Sequence, residues 1–262
     1  ETRGDVQEGI DVFEYMAGEG RRLFGHTTPS ELKHKFAATV RKPVGVVGLI
    51  TPWNFPIAIP SWKLAPALIC GNTIVLKPSS DTPRSAVELI EIIEDAGIPK
   101  GVVNLVTGSA REVGEKIVDD SRVRGISFTG SRETGKWITQ HAGIKKIGLE
   151  LGGKNAIIVM EDADLDLAAE GIIWGAFGTT GQRCTAASRV IAHYKIAKQL
   201  EEKLVNKMKK LKLGNGMEKK TDVGPLINAH AVEKCEKYCA IGKKEGKLAF
   251  GGKRGEGNGF FF

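Results

Sequence analysis

The chain has 262 residues, of which 41% are hydrophobic, so it is long enough to bury a substantial core and to form more than one domain. No apolar run is long enough to span a bilayer and no signal-peptide pattern is present, which argues against a membrane partner. The four cysteines are scattered along the sequence, which favours a reducing compartment and a cytoplasmic location.

The net charge of +7 is concentrated in one segment, residues 195–254, which contains 16 Lys and Arg against 7 Asp and Glu. Nucleic-acid binding is one interpretation. The lysines fall on amphipathic helical patterns without regularly interleaved aromatics, however, so we expect a solvated face and no nucleic-acid partner. In the same segment Cys235 and Cys239 are one helical turn apart, without the further Cys or His that zinc requires. We predict a structural pair of thiols and no metal site.

The N-terminal part contains two different patterns. Residues 5–22 are amphipathic and predict a helix that ends at Gly18 and Gly20. Residues 31–42 mix charged and β-prone side chains and stop at Pro43. They predict an extended arm or hairpin, with a surface loop as the alternative.

From Val44 onward, short runs rich in Val and Ile alternate with helical patterns. The runs are typical of strands buried on both faces and cover residues 44–50, 73–76, 102–106, 125–128 and 147–151. Three helices are predicted between them from their end signals: 82–97 with Thr82 as N-cap, Pro83 first and Gly97 past the end; 109–119 with a Ser109/Glu112 capping box; and 131–143 with Ser131 as N-cap. This alternation predicts an α/β fold with a doubly wound parallel sheet.

Polar and glycine-rich motifs follow each predicted strand. They are P-W-N-F-P at 52–56, K-P-S-S at 77–80, T-G-S at 107–109, T-G-S-R-E-T-G at 129–135 and E-L-G-G at 150–153. Open α/β sheets bind ligands at the carboxyl ends of their strands. We therefore expect a ligand site at this edge of the sheet.

Four of these residues have both a chemical use and an ordinary structural alternative. Gly130 and Ser131, at a helix N-terminus, suit a pyrophosphate, but they also form a common N-cap. Lys77 is placed to reach a ribose or phosphate, unless it is a surface lysine. Asn54 is a rigid donor of the kind that an oxyanion hole needs, or else a turn residue.

Glu150 and Cys184 are the candidates for reaction chemistry. Glu150 interrupts an apolar run, so it lies either at the sheet edge or buried with a raised pKa, and the second placement suits a general base. Cys184 lies in a loop, residues 178–189, between a helix-like run at 163–177 and an apolar run at 190–193 that predicts a strand. A thiol on such a loop suits a nucleophile, while a small buried hydrophobe is the alternative.

The sequence resembles the aldehyde dehydrogenase superfamily, because four of these motifs (P-W-N-F-P, K-P-S-S, T-G-S-R-E-T-G and E-L-G-G) and G-Q-R-C at 181–184 occur in that family's order. The resemblance implies a Rossmann-like cofactor domain at 1–153 and part of a second α/β catalytic domain at 154–262. It implies NADP or NAD as cofactor, a small-molecule aldehyde as substrate, and a homo-oligomer, dimer or tetramer, with an oligomerisation arm at about 31–42.

The resemblance also implies residue roles. Cys184 is the nucleophile, Glu150 the base that activates water, and Asn54 the donor that stabilises the oxyanion. The implied cofactor-binding residues are Trp53, Asn54, Lys77, Ser80, Gly130, Ser131, Gly135 and Leu151. Ser80 stands where members that use NAD often have a glutamate, so we expect NADP to be accepted and NAD still to be used.

Family members are longer at both ends, so we expect the chain to be a piece of a longer protein whose activity by itself is in doubt. The stretch around Cys184 resembles members acting on short semialdehydes with a terminal carboxylate, such as succinic or 2-oxoglutaric semialdehyde. A catalytically silent nucleotide-binding relative is the alternative. The presence of Asn54, Glu150 and Cys184 together favours the enzyme.

Overall fold

A computed structural model describes residues 1–262, which divide into two compact units, Glu1–Leu151 and Gly152–Phe262. The first unit contains helices α1 (Thr2–Gly20), α2 (Ala58–Ile69), α3 (Pro83–Asp95), α4 (Glu115–Asp119) and α5 (Arg132–His141). Its strands are β1 (Thr27–Thr28), β2 (Ala37–Ala38), β3 (Val46–Ile50), β4 (Thr73–Lys77), β5 (Val103–Leu105), β6 (Val123–Gly130) and β7 (Lys146–Leu151).

Five of these strands form one sheet in the order β5-β4-β3-β6-β7, and every neighbouring pair is parallel. Within this sheet the chain first forms the central strand β3, then β4 and β5 on one side of it, and then β6 and β7 on the other side. The strand order therefore reverses between β3 and β6, the position at which doubly wound sheets bind ligands. The predicted parallel sheet is confirmed.

Helices cover both faces of this sheet, as the buried strand pattern requires. On one face α2 and α3 pack against β3 and β4 through Leu49, Leu64, Ile74, Leu76, Leu89 and Ile93. On the other face α4 and α5 pack against β6 through Ile117, Val118, Ile126, Phe128 and Ile138. The interdigitation of these side chains fixes where each strand ends, and so fixes the position of the loops that follow.

The N-terminal signals predicted for α3, α4 and α5 are confirmed. Ser109 and Glu112 form the predicted capping box, although the helix opens with a π-helical turn, Ala110–Gly114, before α4. Ser131 accepts a hydrogen bond from the Thr134 N–H and caps α5. Thr82 occupies the predicted N-cap position of α3, although its side chain makes no capping hydrogen bond.

The N-terminal elements differ from the prediction in their bounds. Helix α1 begins at Thr2 and continues through Gly18 to Gly20, because a single glycine costs a helix only about 1 kcal/mol relative to alanine. Strands β1 and β2 pair antiparallel, Thr27 with Ala38 and Thr28 with Ala37, so the arm is a hairpin that starts before residue 31. Helix α2 was not predicted from the sequence.

The second unit contains β8 (Asn155–Val159), α6 (Leu165–Phe177), β9 (Ala187–Ala192), α7 (Ala197–Met208) and α8 (Ala229–Glu245). Strands β8 and β9 are parallel neighbours, joined through α6. The core of this unit comprises Val159, Ala169, Ile172, Ile196 and Leu200. The strand predicted at 190–193 is β9, which begins three residues earlier. None of the helices has the length and apolar character needed to cross a membrane.

Candidate active site

A cavity of about 560 Å³ opens at the carboxyl ends of β3, β4 and β6, where the strand order reverses. Five of the predicted cofactor-binding residues line it, although they come from three different loops: Trp53, Lys77, Ser80, Gly130 and Ser131. Parallel strands bring their carboxyl ends to one edge of the sheet, which is why residues so far apart in sequence meet here.

The other three predicted cofactor-binding residues, Asn54, Gly135 and Leu151, do not line this cavity. Gly135 is buried in the first turn of α5, and a Cβ built there would lie 2.7 Å from Cδ2 of Leu151. Gly135 therefore allows α5 to pack closely on β7. Asn54 lies in the loop between β3 and α2 and is half-buried.

Lys77 is buried at the end of β4, so the surface-lysine alternative is wrong. Its Nζ donates to the carbonyl of Pro78 at 2.9 Å, and burial lowers the pKa of its ammonium group. Ser80 is exposed at the cavity margin and donates to the carbonyl of Gly108 at 3.3 Å. The cavity thus combines one buried cation, an exposed hydroxyl and the N-terminus of α5.

Two buried hydroxyl groups in the cavity lack a hydrogen-bond partner. Thr51 follows β3 and is 5% exposed, and Thr129 lies near the end of β6 and is 8% exposed. Leaving a buried hydroxyl unpaired costs about 1–3 kcal/mol, so such groups usually have a ligand or water as partner. Neither hydroxyl was predicted as a ligand group from the sequence, because a threonine beside a strand is also an ordinary β-sheet residue.

Glu150 lies on β7, the edge strand, and its side chain is exposed. Of the two predicted placements, the structure has the one at the sheet edge. Lys63 of α2 is buried, and its Nζ donates to Oγ of Ser127 at 2.8 Å. Burial lowers the pKa of Lys63 to about 8, and the attraction of the Glu150 carboxylate partly opposes this shift. Lys63 was not singled out in the sequence.

Cys184 is exposed in the second unit, so the buried-hydrophobe alternative is wrong. It follows α6 and a short 3-10 turn, Gly178–Gly181. Nδ2 of Asn155, the first residue of β8, donates to the Cys184 carbonyl at 2.7 Å and to the Ala186 carbonyl at 3.3 Å. The Gln182 side chain accepts from the Ile227 N–H at 3.0 Å. The loop is therefore tied to both β8 and the segment before α8.

The arginines flanking Cys184 both donate to backbone carbonyls. Nη2 of Arg183 donates to Trp174 at 3.0 Å and to Gly175 at 3.2 Å, at the end of α6. Nε and Nη2 of Arg189 donate to the Lys154 carbonyl at 3.2 Å and 2.5 Å. Both side chains thus help to fasten the segment that carries the thiol.

The sequence profile of the aldehyde dehydrogenase family matches residues 1–262. The chain belongs to the aldehyde dehydrogenase family. It is 44% identical over 268 residues to the alpha-ketoglutaric semialdehyde dehydrogenase of Bacillus subtilis, covering 100% of this chain and 55% of that protein. It is 41% identical over 265 residues to an NADP(+) succinate-semialdehyde dehydrogenase of Escherichia coli, covering 100% of this chain and 55% of that protein.

Solved structures of the family have the same fold. The betaine aldehyde dehydrogenase of Staphylococcus aureus, in complex with NAD+, is 40% identical with a TM-score of 0.96, covering 99% of this chain and 53% of that one. An NADP-dependent enzyme of Escherichia coli is 42% identical with a TM-score of 0.95, covering 99% and 55%. The chain spans about half the length of the curated relatives it matches.

Within this aldehyde dehydrogenase chain, the structure adds residues that local patterns did not indicate. Asp5, Lys63 and Asn155 bond to residues far away in the sequence, whereas Thr51 and Thr129 have buried hydroxyls without a partner. Lys63 could have been recognised from the sequence, because a lysine is unusual in a helix that is otherwise largely apolar. Cys235 and Cys239, predicted to be a structural pair of thiols, lie half-buried on α8, and burial is the main cause that raises the pKa of Cys235.

Proposed function

We propose that the full-length protein is an NAD(P)-dependent aldehyde dehydrogenase that oxidises an aldehyde to the carboxylic acid. The observation that carries this proposal is the cavity at the reversal of strand order, with its buried lysine, helix N-terminus and unpartnered hydroxyls, in a chain of this family. We assign residues 1–153 to the cofactor domain and 154–262 to part of the catalytic domain.

The residues of the cavity suit a dinucleotide. The free N–H groups at the N-terminus of α5, beside Gly130 and Ser131, suit a phosphate, and Lys77 adds positive charge. Thr51 and Thr129 have hydroxyls that a polar ligand would satisfy. When bound, the nicotinamide ring supplies the acceptor for the hydride that leaves the substrate carbon.

The chain's own residues would perform the remaining chemistry. The Cys184 thiolate attacks the aldehyde carbon, and a covalent intermediate divides a difficult oxidation into two easier steps. The Asn54 side chain donates to the oxyanion, and loss of such a donor typically costs on the order of 100- to 1000-fold in rate. Glu150 takes a proton from the water that hydrolyses the Cys184 thioester, releasing the acid and the free thiol.

The choice of cofactor depends on Ser80 in this proposal. Its exposed hydroxyl lies at the margin of the cavity and carries no negative charge. A hydroxyl can donate to a phosphate oxygen or to a ribose hydroxyl, so both NADP and NAD are accepted. The relatives include both an NADP(+) enzyme and an enzyme solved in complex with NAD+.

For the substrate we propose a short semialdehyde with a terminal carboxylate. Several relatives carry such names, including the glutarate-semialdehyde dehydrogenase of Pseudomonas putida, which is 43% identical over 263 residues, covering 99% of this chain and 55% of that protein. Arg183 and Arg189 donate to backbone carbonyls, so we assign recognition of the carboxylate to neither of them.

We also propose that the protein is a cytoplasmic homo-oligomer. Two observations support this: all four cysteines are free thiols, and the β1–β2 hairpin segment leaves apolar side chains exposed, among them Phe36 and Val40. Exposed apolar surface of this kind is typical of an interface between subunits.

The experiment that tests the proposed activity follows the absorbance of reduced nicotinamide with the full-length protein and a panel of aldehydes, with NADP and NAD in turn. We expect reduction that requires both aldehyde and Cys184, with semialdehydes giving a higher kcat/KM than unbranched aldehydes of equal length. No reduction with any aldehyde contradicts the activity, while a preference for unbranched aldehydes contradicts only the substrate class.

A further inference from the structure

The side chain of Arg183 closes the end of α6. Its Nη2 donates to the carbonyls of Trp174 and Gly175 at 3.0 Å and 3.2 Å, and its guanidinium lies 4.5 Å from the centroid of the Trp174 ring. The helix dipole places partial negative charge at the last carbonyls of a helix, where a cation is favourable. Gly178 occupies the C-cap position and its N–H already donates to the Trp174 carbonyl, so the Arg183 guanidinium adds positive charge and further hydrogen bonds at this end of α6.

The turn between α6 and Arg183 has a backbone that needs such support. Thr179 and Thr180 have φ of 53° and 56°, and Gly181 has φ of 66°, so three successive residues are left-handed. L-residues rarely adopt this conformation, because the Cβ approaches the following carbonyl oxygen. A Cβ on Gly181 would lie 2.7 Å from the Ala176 carbonyl oxygen, so the turn folds tightly back on the helix.

Arg183 also fixes the residue that follows it. Its carbonyl accepts from the Ala186 N–H at 3.1 Å, and the next carbonyl, that of Cys184, accepts from Asn155 Nδ2 at 2.7 Å. The backbone at 183–184 is therefore held by β8 on one side and, through the guanidinium, by α6 on the other. Rotation of the thiol is limited to its own χ1 while both attachments persist.

We propose that Arg183 is a positioning residue for the Cys184 thiol, an inference that rests on the proposed role of Cys184 as nucleophile. It touches neither substrate nor cofactor in this proposal. It holds the left-handed turn against α6, so that the thiol is presented in one orientation. Misplacement of a reacting atom by about 1 Å typically costs on the order of 100-fold in rate, so a small loosening of the turn has a large effect.

The test compares Arg183→Met in the full-length protein with Arg254→Met, an exposed arginine of the same unit that pairs with Glu236. For Arg183→Met we expect kcat to fall by about 10- to 100-fold while the KM for cofactor changes by less than about twofold. Arg183→Lys, and methylguanidinium added to Arg183→Ala, should restore part of the kcat. Arg254→Met should leave kcat unchanged.

An unchanged kcat in Arg183→Met overturns the inference, as does a kcat loss that neither lysine nor methylguanidinium restores. If Arg183→Met does not fold, Trp174→Leu carries the test, because this ring is 70% exposed and its loss should lower kcat only through Arg183. An unchanged kcat in Trp174→Leu would then overturn the inference that Arg183 positions the thiol. Retained activity in Cys184→Ala would instead overturn the proposed function, so the two failures are distinguishable.

Discussion

The carboxylate of Asp5, in the first turn of α1, accepts a hydrogen bond from the backbone N–H of Ala58, the first residue of α2, at 2.8 Å. A second bond, from the Ile57 N–H, measures 3.1 Å. Asp5 is only 7% exposed. It therefore serves as the N-terminal cap of a helix more than fifty residues away, and it anchors the end of the loop that carries Asn54.

We expect Asp5→Ala to destabilise the protein by about 2 kcal/mol, because the buried N–H of Ala58 and the part-buried N–H of Ile57 lose a carboxylate acceptor. Asp5→Asn, which keeps one acceptor oxygen, should lose less. Thermal unfolding of the full-length protein measures the effect, with Glu8→Gln on the exposed face of α1 as the control. Equal Tm values for Asp5→Ala and Glu8→Gln would contradict the capping role.

The environment of Lys63 predicts a dependence of stability on pH. Its pKa is lowered to about 8 in the folded state, chiefly by burial, whereas an unfolded lysine titrates near 10.5. Between these values the unfolded chain binds more protons than the folded one, so the contribution of Lys63 to stability rises with pH. Below pH 8 the cost of burying the charged ammonium is fully present.

The difference in Tm between wild type and Lys63→Met should therefore change through the window from about pH 8 to 10.5, in favour of wild type as the pH rises. Lys100→Met, at an exposed position, provides the reference for general effects of alkaline pH. If the difference in Tm between wild type and Lys63→Met stayed constant across this pH window, titration of Lys63 would not be the cause.

Replacement of Thr51 or Thr129 by valine should separate ligand binding from stability. Each hydroxyl is buried without a partner, so its removal should leave Tm unchanged or raise it. The KM for cofactor should rise by roughly 5- to 10-fold, because a hydrogen bond of about 1 kcal/mol or more is lost. Thr82→Val is the matched control, because the Thr82 hydroxyl is also buried without a partner but lies outside the cavity. If Thr82→Val raised this KM as much, the effect would not belong to the cavity.

Ser80→Glu should discriminate between the two cofactors. A carboxylate there would repel the 2′-phosphate of NADP by roughly 1–4 kcal/mol, which corresponds to an increase of at least about fivefold in the KM for NADP. The KM for NAD should stay within about twofold, since a ribose hydroxyl can donate to the carboxylate. Ser121→Glu, at an exposed position outside the cavity, is the control. An unchanged KM for NADP in Ser80→Glu, or rejection of NADP by the wild type, would contradict the role of Ser80.

Features encoded in short stretches were predicted from the sequence, and features formed by distant stretches were not. Ser109, Ser131 and Gly97 act within a few residues of their own position, so their capping and turn signals could be recognised. Helix α2 was missed because its Pro60 and Pro66 are helix-breaking in most contexts, and here the cap from Asp5 and the packing of Leu64 compensate.

In the candidate site, too, the features set by local motifs were predicted and those set by distant contacts were not. The motifs placed Trp53, Lys77 and Ser131 in one cavity, because parallel strands deliver their carboxyl ends to one edge. The contact of Lys63 with Ser127 joins residues 64 positions apart, and no local pattern encodes it. Whether Glu150 was buried or at the sheet edge depended on β7 being the last strand, which the order of strands decides.

The central claim is that Cys184 forms the thioester and Glu150 activates the water that hydrolyses it. Stopped-flow absorbance of the full-length Glu150→Gln protein, mixed with aldehyde and cofactor, tests it most directly. We predict a burst of reduced cofactor equal in amount to the enzyme, followed by turnover slowed by about 100-fold or more. The double variant Glu150→Gln, Cys184→Ala should show no burst. Steady turnover at the wild-type rate without a burst in Glu150→Gln, or any wild-type turnover in Cys184→Ala, would contradict the account.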